Sequence, residues 1–168
     1  MAITPSTWKV WNRVALNQAI TDTSTTQLHD LGEEVMCKDV GSTARGFGVF
    51  KYLKGVASTA QYDCVVFDSS DHTTTRTVAA TIGDVGIAQS ANVASAYGWY
   101  QVIGCSPVTA GTVLDNGLVY TTATDGSLDD TQVDSQQILN AQFRAATDTG
   151  LALIQLNRAH AGTDDQVT

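Results

Sequence analysis

Residues 83–130 read GDVGIAQSANVASAYGWYQVIGCSPVTAGTVLDNGLVYTTATDGSLDD. Short apolar runs alternate here with glycine-bearing turns. Tyr97-Gly98-Trp99-Tyr100-Gln101-Val102-Ile103 is dense in aromatic and β-branched side chains, which suit a pleated, half-buried surface. Asn116-Gly117 and Asp125-Gly126 are strong hairpin signals, because a type I′ turn needs positive φ at both central residues. The stretch predicts a ladder of antiparallel strands and carries no constellation of groups that a catalyst needs. It points to a structural or binding role before an enzymatic one.

The same pattern continues on both sides. Val35 to Val40 is a candidate strand. Gly46 to Leu53 alternates Phe47, Val49 and Lys51 against Phe50 and Tyr52. Tyr62 to Phe67 is apolar on both faces and reads as a central strand. Thr73 to Thr81 reads as an edge strand, Val85 to Gln89 as a short strand of small residues, and Leu118 to Thr122 as the strand leaving the Asn116-Gly117 turn. Ser135 to Ala146 fits one helical turn or a strand pair, Gly150 to Leu156 is a last strand, and Ala161 to Thr168 is a polar tail. Many short strands at near-regular spacing predict an all-β fold, an antiparallel β-sandwich or barrel.

Residues 1–31 are unlike the rest and read as an extended N-terminal arm and linker, with residues 32–168 as the β-rich body. Trp8, Val10, Val14 and Leu16 would share a strand face; Trp8, Trp11 and Ala15 would share a helix face, and periodicity leaves both open. Thr21 to Thr26 is polar and turn-prone and reads as a linker. Trp8, Lys9, Trp11 and Arg13 are therefore the candidate contact residues, since Trp and Arg are favoured interface anchors. Such an arm either anchors on a neighbouring subunit or folds back on its own core.

Composition sets limits. A chain of 168 residues suits one domain and buries roughly two-thirds of its unfolded surface. Hydrophobic residues make up 43% and charged residues only 15%, which excludes disorder and disfavours long solvated helices. The net charge is −8 with a pI near 4.5, so no basic face is expected and nucleic acid is not an expected partner. Before Asp22 the only charged side chains are Lys9 and Arg13. After Tyr120, Asp125, Asp129, Asp130, Asp134, Asp148, Asp164 and Asp165 outnumber Arg144 and Arg158. With no secretory apolar segment and no long apolar span, a soluble protein made in the cytosol, with no membrane partner, is expected.

No metal or cofactor is expected. Cys37, Cys64 and Cys105 form no Cys-x-x-Cys and read as buried free thiols. His29, His72 and His160 are scattered and read as surface or loop histidines; neighbours on a strand face opposite ways, so His29-Asp30 and Asp71-His72 are not ready-made dyads. Gly46-Phe47-Gly48 lacks the third glycine, the helix and the acid of a dinucleotide loop, and no Gly-x-Ser-x-Gly or Walker lysine loop occurs. Asp129, Asp130 and Asp134 read as an acidic turn, without the ordered series of a calcium loop.

Four segments run in a suggestive order: Leu31-Gly32-Glu33, FKYLKGVAST from Phe50 to Thr59, SANVASAYGWYQ from Ser90 to Gln101, and NGLVYTTATDGSLDD from Asn116 to Asp130. Over about Leu28 to Ala161 the chain resembles small virion proteins of tailed bacteriophages, the capsid decoration or cement proteins. It departs at Cys105-Ser106-Pro107, where a longer run of small residues is expected. The resemblance implies a β-rich protein on the outer face of the head shell, a homotrimer bound to the major capsid protein that reinforces the shell. Rival expectations are a head-fibre or tail-associated receptor-binding module, a small hydrolase, and a plain scaffold domain.

Overall fold

A computed structural model describes residues 7–11, 16–41, 45–92 and 94–162. The described chain is all-β. Its strands are β1 (Trp8–Val10), β2 (Glu34–Asp39), β3 (Phe47–Lys54), β4 (Cys64–Phe67), β5 (Thr74–Arg76), β6 (Gly83–Ala88), β7 (Tyr97–Thr109), β8 (Tyr120–Thr121), β9 (Leu128–Asp129), β10 (Ile138–Asp148) and β11 (Leu151–Ala161). Nine of them form one strongly curled antiparallel sheet, a half-barrel, in the order β1-β2-β3-β7-β11-β6-β4-β5, with β10 paired to β11. β8 and β9 form a small second sheet. The antiparallel all-β class expected from the sequence is the one observed.

Alternation explains why β3 and β7 organise the sheet. Phe50 and Tyr52 from β3 and Trp99 from β7 point to one face, with Val35 and Cys37 from β2 and Ile20 packed on them. Leu53, Tyr100 and Val102 point to the other face, with Val65, Phe67 and Ala88. All four residues of β4 are buried, as its two-faced apolar run requires. The largest cluster lies further along the sheet, where Ile154 and Leu156 of β11, Phe143 of β10 and Val108 of β7 meet Leu128 and Val119.

β7 runs six residues beyond the Tyr97-to-Ile103 segment expected from sequence. It bends at Gly104, whose φ is +102° and where a Cβ would lie 2.5 Å from the Phe47 carbonyl oxygen. The buried Gln101 side chain holds the bend by donating from Nε2 to the carbonyls of Ile103 (3.1 Å) and Cys105 (3.3 Å). Beyond it, Pro107 is tolerated because β7 there pairs only with β11, opposite Leu153.

The Asn116-Gly117 hairpin does not form. Asn116 has φ +63°, but Gly117 is not in the left-handed region, and the turn closes one residue earlier, as Gly117 N–H to Leu114 C=O (3.3 Å), rather than as type I′. The segment packs on β10 instead, through Asn116 N–H to Phe143 C=O (3.0 Å) and Phe143 N–H to Gly117 C=O (3.1 Å). Leu118 and Val119 therefore lie outside β8. Asp125-Gly126 does sit in the β8–β9 connection, in a turn closed by Ser127 N–H to Thr124 C=O with Gly126 at φ +72°. Ser135 to Ala146 resolves as the approach to β10 and most of that strand. Of the expected polar tail, residues 163–168 lie outside the described residues.

β11 leaves β7 after Asn157 and crosses to β6, pairing His160 with Asp84. Arg158 turns the chain there with φ +48°, and its guanidinium grips Glu34 of β2 through two hydrogen bonds of 2.9 and 2.8 Å. Lys51 adds an ion pair at 3.3 Å. The Arg158 hydrogen bonds are the main reason the Glu34 carboxyl sits below the usual glutamate range; partial burial opposes them and Lys51 assists. A depressed folded-state value contributes stability above the unfolded pKa of about 4.3, lost as pH falls through the lower folded value. Arg158 is exposed and Glu34 only partly buried, so solvent screens the pair and the contribution is about 0.5 kcal/mol. Urea titrations between neutral and acidic pH should show Glu34→Gln with a shallower loss of stability than the parent below that pH; parallel curves would show that the pair contributes nothing.

Candidate functional site

The N-terminal segment lies along its own sheet. Trp8, Lys9 and Val10 pair with Asp39, Lys38 and Cys37, so β1 is an edge strand built on β2. Strand alternation then divides the candidate residues. Trp8 and Val10 turn inward against the Phe50–Tyr52–Trp99 cluster, and Trp8 meets Phe50 edge-on at 4.8 Å between centroids. Lys9 and Trp11 turn outward, Trp11 with 47% of its surface exposed. Arg13, and with it Val14 and Ala15, falls outside the described residues. The polar linker is strapped down as well: Ser24 bridges Tyr97, and buried Gln18 donates to the carbonyls of Asp22 (2.8 Å) and Tyr97 (2.9 Å).

The outward half of the arm completes a face that the sequence reading missed. Two cross-strand rows run over β1, β2 and β3. One joins Lys9, Lys38 and Phe47. The other joins Met36 to Val49, and Trp11 enters it by donating its N–H to the Met36 carbonyl (2.9 Å). Met36, Phe47 and nearby Val40 are all substantially exposed. Trp11 and Phe47 meet edge-on at 4.9 Å, and the Lys38 ammonium lies 5.9 Å from both ring centroids. Lys9 and Lys38 are directly opposite each other, an arrangement that destabilises a strand pair, and neither meets a carboxylate among the described residues. The signal available in the sequence was the alternation of Met36 and Lys38 against Val35 and Cys37. What it lacked was which face stays open.

Other chemistry-bearing groups serve the fold. Burial pushes the Cys37 thiol up to about 11 and Cys64 up to about 12, and raises Cys105 as well. All three are free; Cys37 and Cys64 are buried as expected, while Cys105 is half-buried. His29 lies in the loop before β2 but is mostly covered: it sits edge-on to Trp99 (4.9 Å) and Tyr52 (5.2 Å), with Nδ1 3.1 Å from Glu33. His72 sits in a loop beneath Gly32. His160 Nδ1 lies 3.2 Å from Asp84 in an open groove of about 510 Å³ that Phe67, Asp68, Thr73 and Thr75 also line. No cluster of three metal-ligating side chains occurs among the described residues.

No protein-family model and no curated protein matches the chain.

Proposed function

We propose that the protein is a structural virion component, a decoration or cement protein that binds the outer face of a tailed-phage capsid and stabilises the head shell. The observation that carries this reading is the open Trp11–Met36–Phe47 face with Lys9 and Lys38, an exposed apolar patch on the edge of a well-packed sheet. The resemblance of the four quoted segments to decoration proteins supports it, as does the all-β body. The mechanism is adhesion. Modest apolar contacts, made with the major capsid protein and with further copies of the chain, combine through effective concentration to hold a lattice closed. The acidic balance of the chain, −8 overall, keeps such a protein from competing for the packaged genome.

The test is co-sedimentation with expanded, undecorated heads, with imaging of the pellet. Saturable binding at fixed lattice positions is expected. Trp11→Ala with Phe47→Ala should weaken binding about 30-fold or more if these rings are anchors, with the unfolding midpoint nearly unchanged because both side chains are half-exposed. Trp8 is the wrong residue for this purpose, since its ring also packs on Phe50. Failure to pellet with heads, with the protein found on tails or fibres instead, would replace the decoration reading with a receptor-binding one.

A further inference from the structure

A second apolar surface mirrors the first with opposite charge. Leu114 (70% exposed), Leu118 (52%) and Val133 (42%) project from the two segments that flank the β8–β9 sheet. Those segments are joined: Asp130 Oδ2 accepts from the Leu114 N–H at 2.8 Å, and its Cβ lies 3.0 Å from where a Gly117 Cβ would be. Between residues 112 and 137 the charged side chains are Asp115, Asp125, Asp129, Asp130 and Asp134, with no lysine or arginine. Asp125 is held by Arg76. Asp115 and Asp134 are exposed and meet no cation among the described residues. The cation at the margin, Arg144, is tied to Asn116 Oδ1 at 3.2 Å.

The two surfaces do not satisfy each other within one subunit: Lys9 and Lys38 meet no carboxylate among the described residues. β1 ends the sheet path β1-β2-β3-β7-β11 on one side; β10, to which the 114–118 segment is bonded, ends it on the other. Five strand spacings separate them, about 24 Å along the sheet, and β1 and β10 form no ladder.

We propose that the Trp11–Phe47 face of one copy seats on the Leu114–Leu118–Val133 surface of a second copy, so that subunits associate head to tail. Lys9 and Lys38 meet Asp115 and Asp134 at the rim while the apolar centres are buried together. The acidic partner relieves the opposed lysines that the isolated subunit leaves uncompensated. Because the two surfaces differ, the contact is heterologous, and it closes into a ring where the rotation between copies permits. This rests on the reading of the Trp11–Phe47 face as adhesive, and gives that face its partner.

Sedimentation velocity on the purified full chain across micromolar concentrations tests it. The parent should assemble, and salt should shift the assembly midpoint upward because the rim charges are screened. Lys9→Glu with Lys38→Glu, and separately Asp115→Lys with Asp134→Lys, should each weaken assembly about tenfold or more. Mixing the two variants should restore it, since one intact surface of each kind survives and the reversed charges also match. Far-UV circular dichroism and thermal melting check that each variant is folded. A monomeric parent, sensitivity to only one of the two surfaces, or a mixture that stays apart overturns the proposal. A monomeric parent that still pellets with heads would place the capsid protein on the Trp11–Phe47 face, removing the self-association while leaving the decoration function. An assembling parent that ignores heads would do the reverse.

Discussion

Trp99→Ala is expected to cost the fold about 3–5 kcal/mol, a large share of the roughly 5–15 kcal/mol that holds a domain of this size. Trp99 is wholly buried on β7 and packs edge-on to Tyr52 at 5.0 Å and to His29 at 4.9 Å. Its Nε1–H donates to the Gln18 carbonyl at 3.1 Å. Gln18 in turn accepts from the Tyr52 hydroxyl at 2.7 Å, and that hydroxyl accepts from the Leu28 N–H at 3.2 Å. The ring thus fills the space under the strap of residues 16–31 and fastens the strap to β3 and β7. Alanine opens a cavity and orphans a buried carbonyl together. Denaturant unfolding measures the loss, and hydrogen exchange should show the Ser24 and Leu28 amides losing protection first. Trp99→Phe keeps most of the volume and removes the donor, so it should fall between the parent and alanine. A loss under about 1.5 kcal/mol for alanine would mean that the strap is not seated on this ring.

That strap shows where sequence reading ends. Thr21 to Thr26 is locally polar, and nothing within it reports that Gln18 reaches Tyr97, 79 residues away. The strands that were legible carry their own periodicity: Phe47 to Leu53 alternates, and Cys64 to Phe67 is apolar throughout. Where tertiary pairing overrides local signals, the sequence misleads. Gly104 and Pro107 look like punctuation, yet β7 passes both because β11 pairs along Ile103 to Thr109 and Gln101 caps the bend. Asn116-Gly117 looks like a hairpin, yet the β10 backbone captures it. At the candidate face, Lys9 and Trp11 were visible as an isolated aromatic and basic patch. Met36, Lys38 and Phe47 needed the register of β1 on β2 and of β2 on β3, which no short window contains.

Asp39→Ala is expected to cost about 3–5 kcal/mol and to disable the Trp11–Phe47 face beyond what that loss of stability explains. The Asp39 carboxylate is fully buried at the end of β2. Oδ1 accepts from the backbone N–H groups of Thr7 (3.1 Å) and Gly41 (2.8 Å), and Oδ2 from that of Arg45 at 3.4 Å, with the Arg45 guanidinium 3.5 Å away. One carboxylate therefore ties the start of β1 to the β2–β3 connection. Its removal leaves buried backbone donors unsatisfied and takes this carboxylate from the buried Arg45 guanidinium, and that penalty exceeds the value of the bonds themselves. Among the described residues β1 joins β2 by a ladder of three pairs, flanked by Val40 N–H to Thr7 C=O and Trp11 N–H to Met36 C=O, so loss of the Asp39 bond to Thr7 should let this short strand fray and carry Lys9 and Trp11 with it. Asp39→Asn keeps an acceptor but loses the charge, and should recover part of the stability. The separation from a global defect is direct. At a temperature where Asp39→Ala is still folded by circular dichroism, its assembly and head binding should match those of Trp11→Ala with Phe47→Ala. Parent-like assembly from the folded variant would show that β1 stays docked without this carboxylate and that the anchor lies elsewhere.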